Sequence, residues 1–128
     1  MAARKPVPIS EAESVMMEVV WRQSPILTED VVAALETHGK WQEATVKTLL
    51  NRLLKKGALS AEKDGRRYLY SPILTREQWL ATESHGFLDR LFNGRVTPLV
   101  SYFSQQKKLS KKDIGDLKRL IQELEDGS

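Results

Sequence analysis

The chain has 128 residues, 41% hydrophobic and 29% charged, with a formal charge of +3, two histidines and no cysteine. That length fits one compact domain, or a small domain with an appendage, and the hydrophobic share is enough for real cores. The missing cysteine excludes disulfides, thiolate metal sites and thiol redox sensing, while the lack of an apolar run of spanning length, or of an h-region after Arg4 and Lys5, points to a cytoplasmic protein. Placement of charge says more than its total, because association with a polyanion depends on local potential. Residues 9–40 carry 2 basic and 6 acidic side chains, residues 41–70 carry 7 and 3, and residues 73–128 carry 9 and 8.

A first helix is expected from Ser10, because Glu13 stands three residues after a serine cap and Ala12, Val15, Met16 and Val19 then follow one face, stopping before Pro25. Thr28 is expected to cap a short second helix, with Leu27 and Val32 as a hydrophobic staple, Val31 and Leu35 facing inward, and His38 and Gly39 at its end. The third helix begins near Gln42, a poor cap, and runs to Gly57, suited to a left-handed C-cap, with Lys55 and Lys56 in the last turn. Its apolar stripe is Val46, Leu49, Leu50, Leu53 and Leu54. Leu59 to Lys63 and Arg67 to Ser71 then read as two strands around an Asp64-Gly65 turn, a hairpin with a basic tip.

Thr75 with Gln78 makes a second capping box, opening a long helix that ends at Asn93-Gly94. Thr97 followed by Pro98 reads as a cap with proline at the first helical position. Ser110 with Asp113 caps the last helix, where Ile114, Leu117, Leu120, Ile121 and Leu124 form a stripe.

Three helices followed by a two-stranded hairpin is the element order of a winged helix-turn-helix, so the fold class expected is mainly α: residues 1–8 a flexible N-terminus, 9–73 a winged-helix DNA-binding domain, 74–128 a helical dimerisation domain. In a helix-turn-helix the second of two packed helices enters the major groove. A groove needs short groups near base edges and long cations at phosphates. Thr45 and Thr48 meet the first need; Asn51 suits an adenine edge or a phosphate; Lys47, Arg52 and Lys55 suit phosphates. Arg66 and Arg67 suit phosphate or minor-groove contacts from the wing. Taken singly, basic residues on an exposed helix face are usually solvated, and Glu43 can simply pair with Lys47 at i, i+4. Co-occurrence on two elements that this topology presents together reverses that weighting. Glu43 cuts against this reading: at the helix N-terminus its carboxylate first of all complements the helix dipole, and beside DNA it would repel a nearby phosphate or accept from a cytosine amino group.

The stretches ISEAE, VVWRQSPILTEDVVAAL, W-x-x-x-TVKTLLNRLLKKG and RRYLYSP resemble the BlaI/MecI/CopY family of bacterial transcriptional repressors, and TPLVSYFSQQKKLSKKDIGDLKRLIQEL extends a looser match toward the C-terminus. The resemblance implies a homodimer on an inverted-repeat operator that often controls β-lactam resistance genes, with recognition-helix contacts on Thr45, Lys47 and Thr48 and wing contacts on Arg66 and Arg67. Gln42, Glu43 and Ala44 depart from relatives, which often have Ser, Pro and then a basic residue, and this bears on base preference. The cysteine motif of the copper-responsive branch is absent. In the β-lactamase-regulating branch a membrane-bound sensor protease triggers cleavage at an Asn-Phe bond; here Tyr102 stands where Asn would be, before Phe103, and on a short helix the pair reads as core or dimer interface ahead of a protease mark.

Residues 75–126 supply three slender amphipathic helices, too few to close a separate core, which favours completion by a second copy. Trp79, Leu88, Phe92, Phe103, Leu117 and Leu124 are the expected dimer interface. An enzyme is disfavoured: His38 and His85 stand far apart with no companion motif, His85 with Asp89 gives too few metal ligands, and no glycine-rich phosphate loop exists, so neither metal nor cofactor is expected. A winged helix used as a protein-interaction module, or a ligand-responsive repressor of another winged-helix family, remains the alternative.

Overall fold

The computed structural model describes residues 7–36, 39 and 41–127. The expected flexible N-terminus with Arg4 and Lys5, up to residue 6, and His38 at the end of the second helix lie outside the described residues. In chain order the elements are α1 (Glu11–Arg22), β1 (Ile26–Leu27), α2 (Thr28–Leu35), α3 (Glu43–Lys56), β2 (Leu59–Asp64), β3 (Arg67–Pro72), α4 (Arg76–Phe92), α5 (Val96–Gln105) and α6 (Lys111–Gly127). The chain divides into two compact units, one running to Glu83 and the other from Ser84 onward. No helix among the described residues is long and apolar enough to cross a membrane.

In the first unit, Met16, Met17 and Val20 of α1, Val31 and Leu35 of α2, and Val46, Leu50 and Leu53 of α3 are fully buried and converge on one core. Each such side chain contributes roughly 1.5–3 kcal/mol by leaving water, so the core rather than helix propensity holds the three helices. The hairpin closes it: β2 and β3 pair antiparallel, Leu59 opposite Pro72 and Asp64 opposite Arg67, and Leu59 and Tyr70 point inward. Gly57 ends α3 at φ +80°, a left-handed backbone that its missing Cβ permits, and its N–H is donated to the carbonyls of Leu53 and Leu54.

Side-chain capping sets three of the six helix starts among the described residues. Ser10 and Glu13 form the reciprocal capping box of α1, with bonds of 2.7 and 3.1 Å. Thr75 with Gln78 does the same for α4, and Ser110 with Asp113 for α6. Two starts differ from expectation. The residue before α2 is Leu27, and no side chain caps the helix. Ile26 and Leu27 instead form a third strand, pairing with Tyr70 and Leu69, so pairing with β3 fixes this entry to α2. Helix α5 starts one residue before Thr97, at Val96, with Arg95 as an uncapped N-cap, which puts Thr97 and Pro98 inside the first turn. Proline remains compatible there because the N–H groups of a first helical turn have no helical partner.

The first unit takes in more than residues 9–73. Leu74 is buried, and Trp79 packs against the same core with its ring 5.5 Å from that of Trp21, whose indole N–H is donated to the Leu74 carbonyl at 2.9 Å. Trp79, expected at a dimer interface, therefore has packing within the chain. In the second unit Phe87 and Phe92, Phe92 and Tyr102, and Tyr102 and Phe103 are neighbouring ring pairs at 5.3–6.4 Å. None of the described residues of α4, α5 or α6 is buried.

Candidate nucleic-acid interface

Helix α3 turns by about 100° per residue, so its buried stripe of Val46, Leu49, Leu50 and Leu53 dictates what the opposite side presents. Thr48, Asn51 and Lys55 lie along the middle of the outer face, Glu43 and Lys47 along one flank, and Thr45 and Arg52 along the other. All are exposed. Short groups and long cations thus share one accessible face, 14 residues long. The Thr48 hydroxyl is donated to the Ala44 carbonyl at 3.0 Å, which fixes its rotamer and leaves the oxygen lone pairs outward as acceptors.

The wing stands beside the Glu43 and Lys47 flank. A cleft of about 400 Å³ runs between them, lined by Lys47, Asn51, Arg66 and Arg67 together with Glu29, Glu43, Tyr68 and Tyr70. Four of the eight residues expected to contact DNA therefore meet around one concavity. Thr45, Thr48, Arg52 and Lys55 continue the surface along α3 outside it. Two acidic side chains of the cleft are already engaged: Glu29 accepts from the Arg67 guanidinium at 2.8 Å, and Glu43 lies 3.8 Å from the Lys47 ammonium. The second contact was legible as an i, i+4 pair; the first joins residues 38 apart and has no local signal.

Sequence reading also missed how α3 is held in place. Glu13 is 1% exposed, and besides capping α1 it accepts from the Lys56 ammonium at 2.5 Å. Burial pushes this carboxyl up, but the Lys56 hydrogen bond, the Ser10 backbone N–H, the Lys56 charge and the Ser10 hydroxyl together outweigh it and hold the group below its ordinary 4.5. The capping spacing pointed to Glu13; nothing in it indicated that the same carboxylate would tie the start of α1 to the end of α3.

Helix-turn-helix, hairpin and a cationic outer face on the second helix define the class: a winged helix with the surface of a DNA reader. A family model described as penicillinase repressor matches residues 9–123. The chain belongs to the penicillinase repressor family. It is 37% identical over 115 residues to the penicillinase repressor of Bacillus licheniformis, covering 90% of each chain, and 26% identical over 122 residues to that of Staphylococcus aureus, covering 95% of this chain and 97% of the relative. Among solved structures it is similar to the DNA-binding domain of the repressor BlaI, at 38% identity and a TM-score of 0.53 over 59% of this chain and 93% of that one. The monomeric form of Bacillus licheniformis BlaI in complex with the blaP half-operator matches at 39% identity and a TM-score of 0.50, over 58% of this chain and 90% of the other.

Proposed function

We propose that this protein is a homodimeric transcriptional repressor that binds an inverted-repeat operator and controls a β-lactamase or related resistance gene from within the cytoplasm. The observation that carries the DNA-binding part is the shared face of α3 and the wing, where Lys47, Asn51, Arg66 and Arg67 meet around one cleft. Thr45, Thr48 and Asn51 are the groups suited to base edges, and Lys47, Arg52, Lys55, Arg66 and Arg67 those suited to phosphates. The similarity to a BlaI structure bound to a half-operator supports the same reading.

Dimerisation is supported by the state of the C-terminal helices. Ile114, Leu117, Ile121 and Leu124 recur at the three-and-four spacing of a helix seam, yet Ile114, Ile121 and Leu124 are 44%, 54% and 64% exposed. An apolar stripe left open on an otherwise well-formed helix fits a second copy of the same element. Leu88, Phe92 and Phe103, each half-buried, belong to the same proposed interface. Linking two half-site readers raises the affinity of the pair far above that of either alone.

Replacing Leu117 and Leu124 together by glutamate tests both parts. In sedimentation at micromolar concentration the unaltered chain is expected as a dimer and the variant as a monomer, and the variant is expected to bind a two-half-site duplex about 100-fold more weakly. A dimeric variant, or unaltered operator affinity in a monomeric one, would overturn this reading. Relief by a sensor protease at the Tyr102–Phe103 bond would act on the same unit. That bond lies inside α5, with the Tyr102 and Phe103 carbonyls accepting from the N–H groups of Gln106 and Lys108, so cleavage there requires the helix to open first.

A further inference from the structure

The face read here as a polyanion-binding surface carries two carboxylates, and each is paired with one of its cations. Around the cleft, Glu29 and Glu43 oppose Lys47, Arg66 and Arg67, so two of the three positive charges are already matched within the protein. Stability gives little reason for this arrangement. Both pairs are well exposed, Arg67 and Glu29 at 60% and 59%, Lys47 and Glu43 at 59% and 63%, and exposed ion pairs add little to folding. Glu29 in the first turn of α2 and Glu43 in the first turn of α3 would serve the helix dipoles without any partner.

Resting on the DNA-binding reading above, we propose that Glu43 is a specificity-determining residue, and that Glu29 and Glu43 together weaken phosphate-driven binding by pairing with Arg67 and Lys47 in the free protein. Non-specific binding is driven almost wholly by phosphate contacts and counterion release. To make those contacts, Arg67 must give up its hydrogen bond to Glu29 and Lys47 must turn from Glu43, 3.8 Å away, and both carboxylates then stand beside the phosphate backbone. For Glu43 the penalty falls unequally on the two kinds of DNA. Residues at the start of a recognition helix face base edges when the helix is seated in the groove, and a carboxylate there can accept from a cytosine amino group. Glu43 is the first residue of α3. On a fitted sequence it exchanges Lys47 for a donor on the base edge, whereas on an unfitted one it gains only repulsion. Glu29, on α2, restrains Arg67 in both cases.

The test titrates the full chain and the variants Glu29→Gln, Glu43→Gln and the double variant against two labelled duplexes at several salt concentrations. One duplex is selected from a random pool by the unaltered protein, and the other is a scramble of the same length and composition. Each single variant is expected to bind the scrambled duplex about threefold more tightly, and the double variant about tenfold. On the selected duplex, Glu43→Gln gains nothing or loses affinity, so the ratio between the two duplexes falls at least threefold. Weaker or unchanged binding of the scrambled duplex by both single variants would overturn the proposal, as would an equal gain on both duplexes for Glu43→Gln. Arg67→Ala, run alongside, separates the levels. If it weakens binding while the glutamine variants change nothing, this proposal fails and the interface stands; if it too has no effect, the interface assignment itself fails.

Discussion

Replacing Lys56 by methionine is expected to lower the melting temperature of the protein by about 10–20 °C. Removing one partner of a buried ion pair typically costs about 3–5 kcal/mol, because the other charge is left without compensation. Here the remaining charge is Glu13, whose side chain is 2% exposed, whereas Lys56 is 36% exposed. Water already reaches the ammonium, and Glu13 keeps its bond from the Ser10 N–H, so about 2–3 kcal/mol is the appropriate figure. A domain of this size loses about 4–8 °C per kcal/mol. The pair also has a pH signature. The Glu13 carboxyl in the folded protein lies below its ordinary 4.5, so it contributes stability that is fully present at neutral pH and is lost as the pH falls below 4.5 and through the folded-state value. The gap between the unaltered protein and the variant should therefore be widest near pH 7 and close on acidification. A shift under about 2 °C at pH 7 would show that Glu13 is solvated without Lys56.

The effect reaches function through geometry. Lys56 is the last residue of α3, and Glu13 belongs to the first turn of α1. Their bond ties down the end of the helix proposed to enter the groove. Operator affinity of the variant, measured well below its melting temperature, reports on that orientation separately from stability.

Replacing Arg66 and Arg67 together by alanine is expected to weaken DNA binding by roughly ten- to thirtyfold per bound protomer at about 0.15 M salt, and to flatten the slope of log affinity against log salt by about 1.8. Each phosphate neutralised contributes about 0.9 to that slope, so the slope counts the cations lost. Arg67 gives less than a free cation does, because it must first leave Glu29, which places the loss toward the lower figure on any duplex. The melting temperature should stay within about 2–3 °C, since both side chains are exposed and outside the core. Unchanged affinity with an unchanged salt slope would remove the wing from the interface and favour use of this domain to bind protein.

Most of the local architecture was legible because it is written in short-range chemistry. Capping pairs three residues apart mark the starts of α1, α4 and α6, Gly57 marks the end of α3, and Asp64-Gly65 marks the hairpin with the turn one residue early, since Asp64 still pairs with Arg67 and the turn itself is Gly65-Arg66. The outer face of α3 followed from its buried stripe. What stayed hidden depends on contacts between distant residues. The two-residue strand of Ile26 and Leu27 exists only through pairing with Tyr70 and Leu69. The Glu13–Lys56 and Glu29–Arg67 pairs join residues 43 and 38 apart. Trp79 lies on the long helix beyond the wing, and only its packing on Trp21 reveals that this helix begins as part of the first core.

The most direct test of the α3-and-wing reading is selection of bound duplexes by the full chain from a random double-stranded pool. The selected sequences are expected to share two copies of one half-site in inverted orientation, their centres separated by a whole number of helical turns of about 10–10.5 base pairs each. The recovered duplexes should bind about 1,000-fold or more tightly than the starting pool at physiological salt. Recovery of no common sequence, or of sequences bound no better than the pool, would contradict the assignment of α3 and the wing as a sequence-reading surface.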